Sequence, residues 1–500
     1  MDCQTHSDLS ADARDLDDLI SQMKQIIVEY VNDSQRVDAR VVDFKTPDEL
    51  GNIIDFDLKE VGLGNNDIIL LVKSIMQYSV NTWNPCFMDK LYAGTNPVGI
   101  ISEMLITILN ANAHVFRVSP VFTLIERIIS ARIGRMLKMG ETSGGITCPG
   151  GAFSNQLAMI TARNTMFPEI KTQGYSSFKN KLVIFTSENG HYSVDKTAVT
   201  LGIGTDNVIK VLCDNKGRMS PGDLERMINQ SINSGNTPFF VNATAGTTVL
   251  GAFDPLRAIG RIAKKYNLWY HIDGSWGGSV IFSKKRLPLL DGSEMADSFT
   301  LNPHKMLGTP LQCSFLLMRD YRTLARSNSL RAEYLFHGNN YDLGDGTVGC
   351  GRRPDAVKLF LGWKYYGING YEQRIEHAFS MAKYLSALIK AKSKFKLLME
   401  PACLQVCFWY APIELCENNY DVYRNVLDNV TKAVHDEICK KGMFLFDYAP
   451  LKLAGKELPA IFRVVINSPS VQKCHLDNLV NEIESVGKKF DGLFLDASHQ

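Results

Sequence analysis

The sequence predicts an α/β protein whose main domain is a mostly parallel, doubly wound sheet, followed by a small α+β domain and preceded by a helical segment. Three observations make that prediction. The chain has 500 residues, enough for more than one domain. Short, continuous apolar runs rich in β-branched and aromatic residues recur between positions 182 and 318, and helical stretches lie between several of them. Such strands need cover on both faces, which crossover helices supply. The expected organisation is a helical segment over 1–92, a large domain over 93–372 and a small domain over 373–500.

The elements follow in order. Leu16, Leu19, Ile20, Met23, Ile26, Ile27 and Tyr30 recur at three- and four-residue spacing, predicting a helix with one apolar face. Asp15, Asp17 and Asp18 suit its first turn, where the helix dipole favours negative charge. A second helix is expected after Pro120, with Val121, Leu124, Ile125, Ile128, Ile129, Ile133 and Met136 on a stripe. Both faces should pack on a larger body or a second subunit. Strands are expected at Leu182–Thr186, Val208–Leu212, Phe239–Asn242, Leu268–Ile272, Ser298–Leu301 and Phe315–Met318, with helices at Pro221–Ile232 and Pro255–Lys265. A long helical passage over Ala356–Ala391 leads to a tail with strands at Leu404–Tyr410 and Phe462–Ile466 and a helix at Leu476–Val486.

Composition narrows the function. The chain is 45% hydrophobic and 21% charged, with 54 Lys and Arg against 53 Asp and Glu. A net charge of +1 gives no support to nucleic-acid binding, which needs a basic surplus. Apolar stretches such as Ile68–Val72 and Ile461–Ile466 are too short to span a bilayer. Met1–Ala13 is polar and acidic, unlike a signal or transit peptide. The cysteines, 11 in all, are odd in number and sparse, and only Cys403 and Cys407 lie close together. Reduced thiols in a soluble, cytoplasmic protein are therefore expected.

In open α/β sheets ligands sit beyond the carboxyl ends of the strands. Four such ends are rich in polar groups. Cys148–Asn155 includes Gly150, Gly151 and Ala152 and runs into a helical stretch, which suits an anion seat. Ser187–Ser193 places His191 in a strand-to-helix loop. Trp269–Gly278 closes a buried strand on Asp273, and a buried carboxylate needs a cationic partner. Asn302–Lys305 places His304 and Lys305 after another apolar strand, where a Lys tends to be depressed in pKa and nucleophilic. Together they match the needs of pyridoxal phosphate: a Lys for its aldehyde, a carboxylate for its pyridine nitrogen and a cradle for its phosphate. A metal site from His271, Asp273 and His304 competes weakly, since no further ligand lies at short spacing. A dinucleotide site at Gly202-Ile203-Gly204 lacks the third glycine and its acidic partner.

These stretches resemble the group II pyridoxal-phosphate amino-acid decarboxylases, in the branch of the glutamate, cysteine sulfinate and aspartate decarboxylases. The likeness runs from about Asn84 to the C-terminal helix. It includes Asn302–Lys305, Leu311–Ser314, Cys148–Asn155, Thr186–Ser193, Val241–Asp254, His271–Gly278, Cys350–Arg352, Val406–Tyr410 and Phe462–Val465. It implies a fold type I, aspartate-aminotransferase-like architecture and a homodimer with its active site at the interface. It also implies that Lys305 holds the cofactor, Asp273 pairs with its ring nitrogen and His191 stacks on its face. Gly151, Ala152 and His304 would hold the phosphate, and Thr244 and Ser275 would lie beside the cofactor. Arg463 would grip the substrate's second acid group, and Tyr341 would reprotonate the α-carbon.

Some positions depart from the family. The loop before Tyr341 is shorter, Gly274 and Ser275 replace two alanines, Asn84 replaces a His, and Lys90 replaces a Gln near the substrate's distal group. An anion-binding Arg463 disfavours aromatic substrates. A second cation at Lys90 that reaches inward would help a short diacid most. The expected order is L-aspartate (to β-alanine), then cysteine sulfinate (to hypotaurine), then glutamate (to GABA). If Lys90 instead turns to solvent, it carries no information on length. A transaminase or desulfurase could use the same Lys and Asp, and a non-catalytic paralogue is the alternative from another class.

Overall fold

The computed structural model describes residues 9–497 apart from 331, 333, 337–340 and 417–419, so the middle of the loop before Tyr341 lies outside the described residues. Seven strands form the large sheet: β1 (Gly144–Cys148), β2 (Leu182–Ser187), β3 (Val208–Val211), β4 (Thr237–Thr244), β5 (Trp269–Gly274), β6 (Ser298–Leu301) and β7 (Ser314–Met318). Their spatial order is β1-β7-β6-β5-β4-β2-β3. The five from β3 to β6 are mutually parallel, joined through β2, β4 and β5. Alternate side chains serve opposite faces. Val183 and Phe185 of β2 join one apolar core, whereas Leu182 and Ile184 join the other. Burial on both sides explains why these strands read as unbroken apolar runs.

The exception is β7, which runs antiparallel to both β6 and β1. The chain spends the link from β6 to β7 on the loop 302–313 rather than on a crossover helix, so the strand returns in the opposite sense. Strand β1 was not among the runs expected from the sequence. Two of its five residues are glycines, and a Cβ on Gly145 would collide with the Leu316 carbonyl of β7. Close strand approach, not β propensity, selects the residue there.

Four strands form the second sheet: β8 (Phe395–Leu397), β9 (Gln405–Tyr410), β10 (Asp447–Leu453) and β11 (Lys456–Val465). It is antiparallel throughout, in the order β10-β11-β9-β8. Helices Arg424–Lys441 and Lys473–Gly487 contribute Leu427, Val434, Leu476 and Ile483 to its core. The passage Ala356–Ala391 is helical as expected but breaks at Gly367, whose φ is +63°. The helices expected near 16–30 and 121–136 form as Ala11–Asp33 and Pro120–Met136. The first of them buries none of its residues. No helix among the described residues is long and apolar enough to cross a membrane.

Candidate active site

The carboxyl ends of β4, β5 and β6 stand side by side, with Thr244 paired to Asp273 and Asp273 to Thr300. That register brings the loops after three strands to one place. A cavity of about 180 Å³ opens there, lined by Lys305, Asp273, His191 and Thr244, and across from them by Gly151, Ala152, Ser275 and His304. Sequence motifs as far apart as Gly151 and Lys305 thus converge because parallel strands all end on the same edge.

The Gly151 side has the form of an anion cradle. Gly150 takes a φ of +95° and leads into the helix Gly151–Met166, whose first turn has no side-chain cap. Its leading N–H groups are therefore left for a ligand. A Cβ on Gly151 would come within 2.6 Å of Ser275 Oγ and 2.7 Å of Asn302 Nδ2, so only glycine leaves that face open. His304 closes the cradle. Its Nδ1 lies 2.7 Å from the Cys313 carbonyl and 3.0 Å from the Cys313 N–H. Burial pushes its pKa down to about 4, so the ring is neutral.

Asp273 is held from two sides. The Ser275 N–H donates to Oδ1 at 3.0 Å, and Asn155 Nδ2 donates to Oδ2 at 2.8 Å. Burial alone would raise this carboxyl, but the His191 and Lys305 charges and the Ser275 hydrogen bonds hold it below its ordinary range. Behind it runs a polar chain. Asn155 Nδ2 also donates to Ser193 Oγ at 3.0 Å, which leaves its Oδ1 to accept from His271 Nε2 at 3.0 Å. The Ser298 hydroxyl then donates to His271 Nδ1 at 2.8 Å, and Trp269 Nε1 donates to Ser298 at 2.9 Å. Burial pushes His271 down to about 4. Both its ring nitrogens are engaged, Nε2 by Asn155 and Nδ1 by Ser298.

Lys305 is largely buried at the cavity wall, and burial lowers its pKa despite the opposing pull of Asp273. That favours the free amine, the nucleophilic form. His191 is also lowered by burial, and its Nδ1 accepts the Ser193 N–H at 3.2 Å. Thr244 Oγ1 is buried and meets no partner among the described residues. An orphaned hydroxyl, an open glycine face and an uncapped helix start are the features a phosphorylated pyridine ring would complete. The residues present fit pyridoxal phosphate.

The structure does not place every expected residue in the cavity. Arg463 stands one residue behind it. Its Nη1 lies 3.5 Å from the carbonyl of Thr248, which lines the cavity. Lys90 does not reach inward as expected, because Asp89 and Asp447 hold its ammonium at 3.0 and 3.1 Å and leave its side chain 48% exposed. Tyr341 also stands outside, its ring 5.5 Å from that of Phe116 and 5.0 Å from the Arg127 guanidinium. Asn84 spends its amide on the Ala39 carbonyl and the Cys86 N–H, fixing a loop far in sequence from the site. Gly274 matches its neighbour: a Cβ there would strike the Phe299 ring. Sequence reasoning missed Asn155, although one helical turn separates it from Gly151, so the two share a face. It also missed Asn302, and Asp447, which only strand pairing brings to Arg463.

Fold and site together define an α/β enzyme built for pyridoxal phosphate, with its lysine, carboxylate and phosphate cradle at the strand ends. The chain belongs to the pyridoxal-dependent decarboxylase family, whose conserved domain matches residues 47–411. It is a pyridoxal-phosphate-dependent amino-acid decarboxylase, and the transaminase and non-catalytic alternatives fall away. It is 39% identical to the L-aspartate decarboxylase of Metarhizium robertsii, over 95% of this chain and 98% of that one. It is 38% identical to the human cysteine sulfinic acid decarboxylase, over 93% and 94% of the two chains. Among solved structures, mouse CSAD superposes with a TM-score of 0.90 at 36% identity, covering 96% of this chain and 99% of that one.

Proposed function

We propose that this enzyme removes the α-carboxyl group of an acidic L-amino acid, with L-aspartate, giving β-alanine, as its preferred substrate and cysteine sulfinate next. The observation that carries the acidic class is Arg463, a buried guanidinium immediately behind the cavity wall at Thr248, whereas the choice of L-aspartate within that class rests on a relative named for it and not on Lys90. A buried Arg fork beside a cofactor pocket suits a second carboxylate or sulfinate. Relatives named for L-aspartate and cysteine sulfinic acid decarboxylation support the same class.

Pyridoxal phosphate supplies an electron sink for the charge left at Cα when carbon dioxide departs. This chain's residues set the conditions for that chemistry. Lys305, its ammonium disfavoured by burial, would hold the cofactor through its aldehyde. Asp273, its carboxylate form favoured, would keep the ring nitrogen protonated. His191 would lie against the ring, and Gly151, Ala152 and His304 would anchor the phosphate, with Thr244 and Ser275 alongside. Tyr341 would return a proton to Cα. Because Tyr341 lies outside the cavity of its own chain, that role requires its loop to serve a second copy, and we infer a homodimer. The cytoplasm is the compartment that suits the buried, unpaired thiols.

The test is a comparison of kcat/KM for L-aspartate, cysteine sulfinate, glutamate and dopa. L-Aspartate should lead. A preference for glutamate would overturn the substrate order, and a preference for dopa would overturn the role of Arg463.

A further inference from the structure

Arg463 does not wait unaccompanied for a substrate. It faces Asp447 directly across the β10–β11 pair, and its Nη2 donates to Asp447 Oδ2 at 2.7 Å and to the Asp89 carbonyl at 3.0 Å. Lys90 Nζ reaches the same Asp447 oxygen at 3.1 Å and Asp89 Oδ1 at 3.0 Å. Asp447 Oδ1 accepts only from the neighbouring Tyr448 N–H, at 2.9 Å, among the described residues. Two cations and two carboxylates thus form one formally neutral cluster, buried at Arg463 and open to water at Lys90.

The cluster is incomplete at one atom. Arg463 Nε is buried and meets no acceptor among the described residues. Asp447 engages the guanidinium through Nη2 alone, so one edge of the fork is half used. A carboxylate or sulfinate seeks both donors of such an edge.

We propose that Asp447 is a specificity-determining residue: an internal carboxylate that occupies Arg463 in the resting enzyme and is exchanged for the substrate's second acid group. The inference rests on the reading of Arg463 as the anchor of that group. The incoming anion pairs the vacant Nε and competes with Asp447 for Nη2. Lys90 keeps Asp447 Oδ2 neutralised as Arg463 releases it. Lys90 is therefore a positioning residue that acts through Asp447, and the substrate need not touch it. Selectivity follows because only an acid group that reaches the Nε edge displaces the internal carboxylate.

A double-mutant cycle tests this on the cofactor-loaded enzyme, read by KM and kcat for L-aspartate and glutamate and by calorimetric binding of succinate and glutarate. Asp447→Asn removes the competitor, so KM and the diacid Kd should fall about tenfold, with the larger effect on kcat/KM for the poorer substrate. Lys90→Gln leaves Asp447 wholly to Arg463, and both constants should rise by a similar factor. In the Asp447→Asn background, Lys90→Gln should have almost no effect. Equal effects of Lys90→Gln in both backgrounds would mean that Lys90 binds substrate itself and would overturn the proposal. So would unchanged diacid affinity in Asp447→Asn. Asp447→Ser repeats the test, and an unaltered Tm and cofactor absorbance certify that each variant is folded and loaded. A wild type that turns over no acidic amino acid sinks the reading of function instead, independently of the cycle.

Discussion

Lys305 and Asp273 depend on each other through burial. An enclosed amine loses its proton more readily, and an enclosed carboxylate keeps its charge only with donors around it. Lys305→Ala should remove the cofactor's visible absorbance band and lower turnover by roughly a thousandfold or more, the scale seen when a nucleophile is removed. Residual decarboxylation near the wild-type rate would contradict the role given to Lys305. Asp273→Asn keeps the shape and removes the charge, so cofactor binding should persist while kcat collapses. Ultraviolet-visible spectra and single-turnover rates separate the two outcomes. At this scale the sequence was informative, because charge buried at a strand end is costly enough to need a function. It was uninformative about Lys90 and Tyr341, whose surroundings come from residues far along the chain.

The sheet edge is stabilised by neutral imidazoles, and that has a pH signature. His271 on β5 and His304 after β6 are each pushed down to about 4 from the ordinary value of 6.5. Between those values the unfolded chain binds protons that the folded chain refuses. Stability should therefore be full above pH ~6.5 and fall as pH drops towards ~4, by up to ~3 kcal/mol per group. Urea unfolding followed from pH 7.5 to 4.5 reads this directly, and His271→Gln should flatten the profile. A wild-type midpoint independent of pH over that range would remove the argument. The elements themselves were legible where period and burial agreed, as in β2, β4, β5 and β6. Strand β1 was not, because its glycines answer to the Leu316 backbone opposite. The break at Gly367 likewise left no mark in the apolar pattern of the long helix.

At the scale of the whole molecule, large apolar side chains stand exposed on three helices of the N-terminal side. Leu16, Ile20 and Val28 of the helix Ala11–Asp33 are exposed, as are Ile101 and Ile108 of Pro97–Leu109 and Val121 and Ile128 of Pro120–Met136. A second copy is the expected cover, with an isologous interface. Val121→Glu with Ile128→Glu should shift the sedimentation coefficient to that of a monomer. Activity should fall about tenfold or more if Tyr341 serves the partner's cavity. A fully active monomer would refute both the dimer and the assignment of Tyr341.

Taken alone, the sequence determined the alternation of strand and helix, the strand-end motifs and the cofactor they suit. These are local facts, set by side-chain period and by the cost of burying charge. Its resemblance to the family also singled out Arg463 as the candidate anchor of an acidic substrate. Only the tertiary structure decided what that arginine touches. The partners of Arg463 come from Asp447, 16 residues earlier on a paired strand, and from Asp89, some 370 residues earlier on a loop. Strand register and loop packing are cooperative properties of the whole chain, and no local pattern encodes which carboxylate will stand opposite a given cation.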